Sequence, residues 1–449
     1  MWLVTIGSKL PRPSFDTVVR HRRRARAAAL VAVALLSMSL GSVEASAAPH
    51  QAAADPKVIS DWNAIAFDTI VVDAGKANAE AFMWFAFEQA AVYNAVVGIT
   101  RRYELYNWNA RGPRGASPQA AAAVAAHDVL LEYFPASQGR LDTALAASLA
   151  DIPDGPKKMQ GIHYGERAAG RLIELREDDG RFAPVTFDVP PAPGVWRPTP
   201  NPTPPPPAFA PFFDPWLAQL RPLLLDSPSQ FRPGPPPAMT TQTYTADFNE
   251  VKEVGSATST VRTPDQTATA RFIAGITIPL VSSSLRDLAA RHQLDISDSA
   301  RLFAAVAMSA ADAVVTSWDS KFEFGFWRPV TAIQLADTDG NPDTQPDPGW
   351  LPLIPTPPYP EYTSGLTTIV GAVTRALSGT LGLGGGRIDV NITVAGSTRH
   401  YEFATQLNRD AVDARVWSGI HFRTADVVGI ETGTQVGDWA LDNYFQPTR

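Results

Sequence analysis

The chain has 449 residues, 45% of them hydrophobic, so it can bury a large core and is long enough for two or three domains. It contains no cysteine, which excludes a disulfide framework and any thiolate metal site. Its formal net charge is −7 and no basic tract follows the N-terminus, which argues against nucleic acid and anionic membrane surfaces as partners.

The first 47 residues have the order of a secretory signal peptide. A basic block at residues 20–26 precedes an apolar run at 27–40, and small residues at 44–48 form a cleavage pattern. The apolar run is shorter than the roughly 20 residues that a membrane-spanning helix needs. The sequence therefore predicts cleavage after residue 47 and a secreted or periplasmic protein with no membrane attachment. An uncleaved anchor is the alternative.

Apolar residues at helical spacing predict an N-terminal helical part over residues 48–189. Ser117 followed by Pro118 is typical of a capped helix start. His127 and His163 fall within these helices, where a satisfied core or groove histidine is commoner than a ligand. The predicted helices cover residues 81–97, 117–133, 138–150 and 156–177.

Proline saturates residues 190–237, and the simplest interpretation of such a segment is an extended polyproline linker. Trp196, Phe212 and Trp216 are among several aromatic residues interleaved with the prolines. A free linker rarely carries so much apolar surface. The sequence therefore predicts an ordered, helix-poor belt over residues 190–262, wrapped across the helical body.

Helical periodicity returns in a C-terminal part, residues 263–449. A period-two alternation at residues 387–394, followed by a turn at 395–398, predicts a small β-hairpin. The fold class predicted for the whole chain is thus all-α with one hairpin. The predicted helices of this part cover residues 264–276, 279–292, 297–318, 329–334, 363–377, 408–416 and 424–444.

Three short blocks in the C-terminal part carry the chemistry. A lysine and an Arg-Pro are separated by six residues, a Ser-Gly opens a predicted helix, and an arginine and a histidine are separated by five. Arginine supplies a planar fork of donors, lysine a point charge, and a helix N-terminus free amides and a favourable dipole. Together these groups suit one tetrahedral oxyanion, with the histidine as nucleophile or axial ligand. The residues are Lys321, Arg328, Ser364, Gly365, Arg415 and His421.

Each block alone would be weak, since a lysine and an arginine at this spacing are common on a solvated helix face. In order, they resemble the K-x6-R-P, P-S-G-H and S-R-x5-H motifs of the vanadium-dependent haloperoxidase and type 2 phosphatidic acid phosphatase superfamily. The resemblance covers nearly all of the chain after residue 47. It implies an all-α body of helical bundles that binds vanadate, with phosphate as a possible substitute. The implied oxyanion-binding residues are the six of the three blocks, with His421 bonded to vanadium or attacking phosphorus.

Three positions depart from the motifs. Ala414 stands in place of serine, Thr363 in place of proline, and Leu366 in place of the second block's histidine. In the family that histidine is the acid/base, and such help is typically worth about 10²–10⁴ in rate. His400 and Glu361 are the residues that could replace it, although an exposed hairpin histidine is usually incidental.

The sequence leaves three functions open. The first is a secreted haloperoxidase-like enzyme whose substrates are hydrogen peroxide, a halide and an organic acceptor. The second is an acid-phosphatase-like hydrolase of phosphate esters, and the third is a non-catalytic oxyanion-binding protein. Length, the proline-rich segment and the absence of a set of membrane spans favour the first over the second, whereas Leu366 favours the third.

Overall fold

A computed structural model describes residues 54–76, 78–199 and 211–448, and residues 53–449 form one compact unit. The predicted signal peptide lies outside the described residues. The predicted fold class is confirmed: the described chain is mostly helical, and its strands form one antiparallel hairpin, β1 (Arg387–Val394) and β2 (Ser397–Phe403). The helices are α1 (Lys57–Phe67), α2 (Asn78–Thr100), α3 (Pro118–Tyr133), α4 (Gln138–Ala150), α5 (Pro156–Leu175), α6 (Gln242–Val254), α7 (Pro264–Ile273), α8 (Thr277–Val281), α9 (Ser283–Arg291), α10 (Ile296–Phe324), α11 (Pro329–Gln334), α12 (Gly365–Leu381), α13 (Ala404–Trp417) and α14 (Arg423–Asn443).

Helix α10 runs through the centre of the body and packs against α2 and α12. It begins where the Asp295 side chain accepts the amides of Ser297 and Asp298, and it ends at Gly325, whose φ of 51° is the left-handed conformation of a helix terminus. The helix is long and apolar enough to cross a membrane, but 94% of its apolar window is buried inside the protein. It is thus the core helix of the fold, and it carries Lys321 to the site.

Two predicted elements differ from the structure. The helix predicted over residues 279–292 is two helices, α8 and α9, because the backbone leaves the helical region at Ser282 (φ −133°, ψ −100°). Helix α6 lies within the segment predicted to be helix-poor. Its start is set by Thr241, whose hydroxyl accepts the Tyr244 amide, a capping pattern that the proline content of the preceding residues obscured.

In the described part of the proline-rich segment, the backbone is tied to α10. The buried carboxylate of Asp312 accepts the amides of three consecutive residues, 223–225, at 2.7–2.9 Å. Two turns further along α10, Arg232 makes a bidentate ion pair with Asp319 at 2.6 and 2.7 Å. Aromatic side chains of the segment are buried against the helices, which is the packing expected of an ordered segment. They include Trp196, Phe212 and Trp216.

The crossing of α12 and α14 brings the start of both helices to the same end of the body. Glycines at positions 429, 433 and 437 lie one helical turn apart along α14 and face α12. A Cβ atom added at Gly433 would lie 2.0 Å from the carbonyl oxygen of Thr368, and one added at Gly371 would lie 2.4 Å from that of Ile430. The two helices therefore approach closely enough to hold Ser364 against the first turn of α14.

We expect Gly433→Ala to destabilise the protein by about 1–3 kcal/mol, because its methyl group can be accommodated only by separating the two helix backbones. The measurement is the free energy of unfolding from urea titration. Gly170→Ala in α5 is the matched control, since nothing lies within 4 Å of its added Cβ and alanine favours the helix by about 0.5–1 kcal/mol. Equal effects of the two substitutions would contradict the close α12–α14 contact.

Candidate oxyanion site

The three sequence blocks meet at one end of the bundle. Lys321 comes from the last turn of α10, Arg328 precedes α11, Ser364 precedes α12, Arg415 lies in the last turn of α13, and His421 lies between α13 and α14. Their side chains are buried: Arg415 is 6% exposed and the other four are 0% exposed. A buried cluster of three cations is costly unless counter-charges or a bound anion compensate it.

Arg328 contacts His421 directly. Its Nη1 lies 3.0 Å from His421 Nε2 and also donates to the carbonyl oxygen of Ile420 at 2.8 Å, while its Nε donates to that of Tyr359 at 2.8 Å. Burial lowers the pKa of Arg328 to about 10, so it stays charged at neutral pH. Its Nη2 is buried without a hydrogen-bond partner among the described residues. That nitrogen is a donor available to a bound anion.

The N–H donors of Lys321 point to backbone carbonyl oxygens and not toward an anion. Its Nζ donates to the carbonyl oxygens of Pro360 at 2.9 Å, Glu361 at 3.0 Å, and Thr363. These three bonds use all of its N–H donors. Burial, and after it the charge of Arg328, lowers the pKa of Lys321 well below its ordinary value. Lys321 therefore shapes the loop before α12 and acts on an anion through space, by its charge.

The Ser-Gly pair is indeed at a helix start, with Ser364 the residue before α12. The Ser364 amide, expected to face the anion, instead donates to the carbonyl oxygen of Ala425 at 3.2 Å, so that part of the prediction is wrong. Its hydroxyl, in contrast, is buried with no hydrogen-bond partner in the described chain. A Cβ at Gly365 would lie 3.2 Å from the Trp318 ring, so glycine permits a close approach here. The hydroxyl, rather than the Ser364 amide, is the group free to bind.

Arg415 and Asp426 complete the cluster. Arg415 Nε and both carboxylate oxygens of Asp426 are buried and have no hydrogen-bond partner within residues 54–76, 78–199 and 211–448. Burial lowers the pKa of Arg415 and raises that of Asp426 well above its ordinary value. Buried donors on Arg328, Ser364 and Arg415 that find no partner within the described protein suit the binding of an anion.

His421 is oriented by Glu361. The Glu361 Oε1 lies 3.0 Å from His421 Nδ1 and accepts the Phe422 amide at 2.9 Å. This network assigns the proton to Nδ1 and leaves the lone pair on Nε2. Burial, followed by the charge of Arg328, lowers the pKa of His421 well below its ordinary value, and burial raises the pKa of Glu361 to about 7. The neutral ring thus keeps the lone pair of Nε2, which accepts an N–H from Arg328 Nη1 and which a bound anion would have to take over for Nε2 to act as a nucleophile or ligand.

A cavity of about 460 Å³ adjoins the cluster, and Gly365 and Arg415 lie in its wall. Its remaining lining is mostly apolar and includes Phe213 of the proline-rich segment and Trp318 of α10. Leu366, at the position of the family's acid/base histidine, also lines this cavity and is 9% exposed. The cavity therefore offers an apolar approach to the cations, with no proton donor at position 366.

Neither residue considered as a substitute for the missing histidine takes its place. His400 lies on β2, where its ring contacts Asn391 at 3.0 Å and Glu402 at 3.3 Å and is 46% exposed. The His400 ring also approaches Asp389. The Asp389 carboxylate is paired with Arg291 and the Glu402 carboxylate with Arg387, so neither is free to hold a cation. Glu361 faces the Nδ1 side of His421, away from Nε2.

Sequence reasoning missed two residues of the cluster. The Tyr359 ring lies beneath both cations, 5.0 Å from Lys321 Nζ and 4.8 Å from the Arg328 guanidinium carbon, and so stabilises their charge. Asp426 was not singled out because an acidic residue in the first turn of a helix is ordinary. The feature of the sequence that could have identified Asp426 is its position five residues after His421. The other two helix histidines are not ligands of this cluster: His127 contacts Asp128 and Asp142, and His163 contacts Glu166.

Comparison with known proteins shows what the chain is similar to in sequence and in fold. Residues 301–448, which contain all three blocks, match the family model of the VCPO second helical-bundle domain. The chain is 31% identical over 280 residues to vanadium chloroperoxidase of Curvularia inaequalis, a match that covers 52% of this chain and 45% of that protein. The chain thus matches less than half of that relative's length.

Two solved structures have the same fold. A bacterial vanadium-dependent iodoperoxidase superposes with a TM-score of 0.74 at 22% identity, covering 88% of this chain and 98% of that one. The holo form of a bacterial vanadium-dependent chloroperoxidase superposes with a TM-score of 0.67 at 18% identity, again covering 88% and 98%. The fold is therefore that of the bacterial vanadium haloperoxidases. The resemblance to the vanadium-dependent haloperoxidase family is confirmed, and residues 301–448 match its second helical-bundle domain.

Proposed function

We propose that the protein is a vanadate-binding, haloperoxidase-like enzyme that uses hydrogen peroxide to oxidise a halide or an organic acceptor. The observation that carries the proposal is the set of buried, unpaired donors on Arg328, Ser364 and Arg415 beside His421 Nε2. Family membership supports vanadate as the anion, and phosphate is its close substitute in shape and charge. Residues 1–47 have the pattern of a signal peptide, so we propose that the enzyme acts outside the cytoplasm.

The donor set fits a tetrahedral oxyanion. Arg328 and Arg415 would donate to its oxygens together with the Ser364 hydroxyl, while Lys321 would contribute charge from behind the loop. His421 Nε2 would hold the anion from the histidine side, with Glu361 fixing the ring through Nδ1. Bound vanadate would supply the Lewis acidity that activates hydrogen peroxide.

The residues of the chain account for the remaining requirements of such a reaction. The cations stabilise negative charge in a site where few water dipoles compete with them. The cavity wall lines the approach to Gly365 and Arg415 with mostly apolar side chains. Leu366 can neither donate nor accept a proton. We therefore propose that the protein binds the anion but turns over slowly, because the rate contribution of an acid/base at this position is lost.

The test is to titrate the purified protein with orthovanadate by calorimetry and then assay the loaded protein. We expect tight vanadate binding and measurable but slow peroxide-dependent bromide oxidation. Hydrolysis of a phosphate ester that exceeds bromide oxidation would instead support the acid-phosphatase alternative. Vanadate binding with neither activity would support the non-catalytic alternative, for which the presence of Leu366 is the specific observation.

We expect Glu361→Gln to weaken vanadate binding by about 10–100-fold, the usual cost of changing a residue that orients a metal-bound histidine. Glutamine can still contact Nδ1 and the Phe422 amide. It lacks the carboxylate charge that makes the Nε2 lone pair more basic and therefore a stronger ligand. The measurement is the calorimetric dissociation constant. Glu431→Gln, which removes the same charge from the exposed face of α14, is the control. Equal affinities for the two variants would show that Glu361 has no orienting role.

A further inference from the structure

Asp426 lies in the site, but the proposed chemistry assigns no role to its carboxyl group. It lies in the first turn of α14, is 0% exposed, and has two carboxylate oxygens without partners among the described residues. Its charge acts on Lys321, Arg328 and Arg415, so it stands among the same cations that would bind the anion. A buried acceptor left without a donor costs free energy and calls for an explanation.

The groups around Asp426 indicate what kind of ligand could donate to its carboxylate. Burial raises the pKa of Asp426 most, whereas the charge of Arg415 and then the Ser364 hydroxyl lower it, and the charges of Glu361 and Arg423 act less. The Ser364 hydroxyl therefore lies beside the carboxylate, although outside hydrogen-bond geometry. Arg423 is already paired with Glu250 and Asp413, and Glu361 with His421 and Phe422. Arg415 makes no ion pair with Asp426 within 4 Å, and its Nε remains unpaired. Donors and an acceptor therefore border the same space without satisfying one another, which suits a ligand that both accepts and donates hydrogen bonds.

We infer that Asp426 makes the site selective for tetrahedral oxyanions that keep a proton at neutral pH, such as vanadate and phosphate, over those that do not, such as sulfate. The inference rests on the oxyanion site of the proposed function and adds the class of anion that it accepts. A protonated anion can donate its O–H to Asp426 while its other oxygens accept from Arg328, Arg415 and Ser364. A fully deprotonated anion would place an oxygen lone pair against a carboxylate lone pair.

The selectivity does not depend on which of the two oxygens, that of the anion or that of Asp426, carries the shared proton. Either the anion donates to the Asp426 carboxylate, or a protonated Asp426 donates to the anion. In both arrangements, one proton lies between the two oxygens. Sulfate can make this contact only if Asp426 takes up a proton from solvent, so the discrimination is fully present above the pKa of Asp426, which burial raises well above its ordinary value. Vanadate and phosphate bring the proton with them at neutral pH, whereas sulfate has none to bring. A site with a buried polar group that the wrong ligand cannot pair rejects that ligand strongly.

The experiment compares orthovanadate, inorganic phosphate and sulfate by isothermal titration calorimetry at neutral pH and constant ionic strength. For the wild-type protein we expect vanadate and phosphate to bind at least about 100-fold more tightly than sulfate. Asp426→Asn has nearly the same shape but offers an N–H, so we expect sulfate to approach phosphate to within about tenfold. Asp442→Asn is the control. It removes an equal charge from the exposed end of α14, about 24 Å along the helix and beyond the screening length, and should leave the ratio unchanged.

The outcomes separate this inference from the proposed function. Wild-type protein that binds sulfate as tightly as phosphate overturns the selectivity while leaving the vanadate site intact. Asp426→Asn that is folded by circular dichroism yet keeps the wild-type ratio overturns the role of Asp426. Wild-type protein that binds none of the three anions overturns the oxyanion site itself, and with it the proposed function. The wild-type comparison decides the selectivity even if Asp426→Asn does not fold.

Discussion

His421→Ala should abolish covalent attachment of vanadate and peroxide-dependent halide oxidation. The lost coordinate bond is stronger than a hydrogen bond to a charged group, which is worth about 1.5–3 kcal/mol, so affinity should fall by at least about 100-fold. Weak binding should remain, because the unpaired donors of Arg328 and Arg415 stay in place. The measurement pairs vanadate calorimetry with a bromide oxidation assay.

The matched control is His163→Ala, which removes an exposed imidazole of α5 that contacts only Glu166 among the described residues. It should leave both vanadate affinity and oxidation unchanged. Removing His421 also takes a buried partner from Glu361, so thermal unfolding must be followed in parallel. A folded His421→Ala protein with wild-type vanadate affinity would show that the anion does not bond to this ring.

Leu366→His should raise peroxide-dependent halide oxidation by about 10²–10⁴, the usual contribution of a positioned acid/base. Leu366 belongs to the hydrophobic core and also lines the cavity beside Gly365 and Arg415, so an imidazole in its place would face that cavity at the cost of some apolar packing. The measurement is the turnover rate of the vanadate-saturated protein, with vanadate affinity determined separately so that binding and proton transfer are not confused.

Leu366→Met is the control for this substitution, because methionine has a similar volume and no proton to transfer. It should leave the rate near that of the wild type. A wild-type protein with robust haloperoxidase activity that Leu366→His does not improve would contradict the expectation of a weakened site. Another residue would then already carry the proton. His400 would be a poor choice, since it lies in the exposed hairpin and contacts Asn391 and Glu402.

The fold followed from the sequence wherever local physical chemistry decides it. Ser117 with Pro118 marked the start of α3, the period-two alternation marked β1, and the bounds of α4 and α11 were those predicted. Helix caps, proline and side-chain periodicity act over a few neighbouring residues, and a sequence displays them directly. The break between α8 and α9 was missed because one residue, Ser282, leaves the helical region within an otherwise helical pattern.

The sequence by itself also determined the three cations of the cluster and the histidine beside them, because three ordered blocks identified Lys321, Arg328, Arg415 and His421. What these side chains do to one another was decided only by the tertiary structure. The three carbonyls that hold Lys321 lie 39–42 residues away in the chain, and Glu361 meets His421 across 60 residues. Pairings at such separations depend on how α10, α12 and α14 pack. Hydrogen bonds and desolvation act through space, so no local pattern records them.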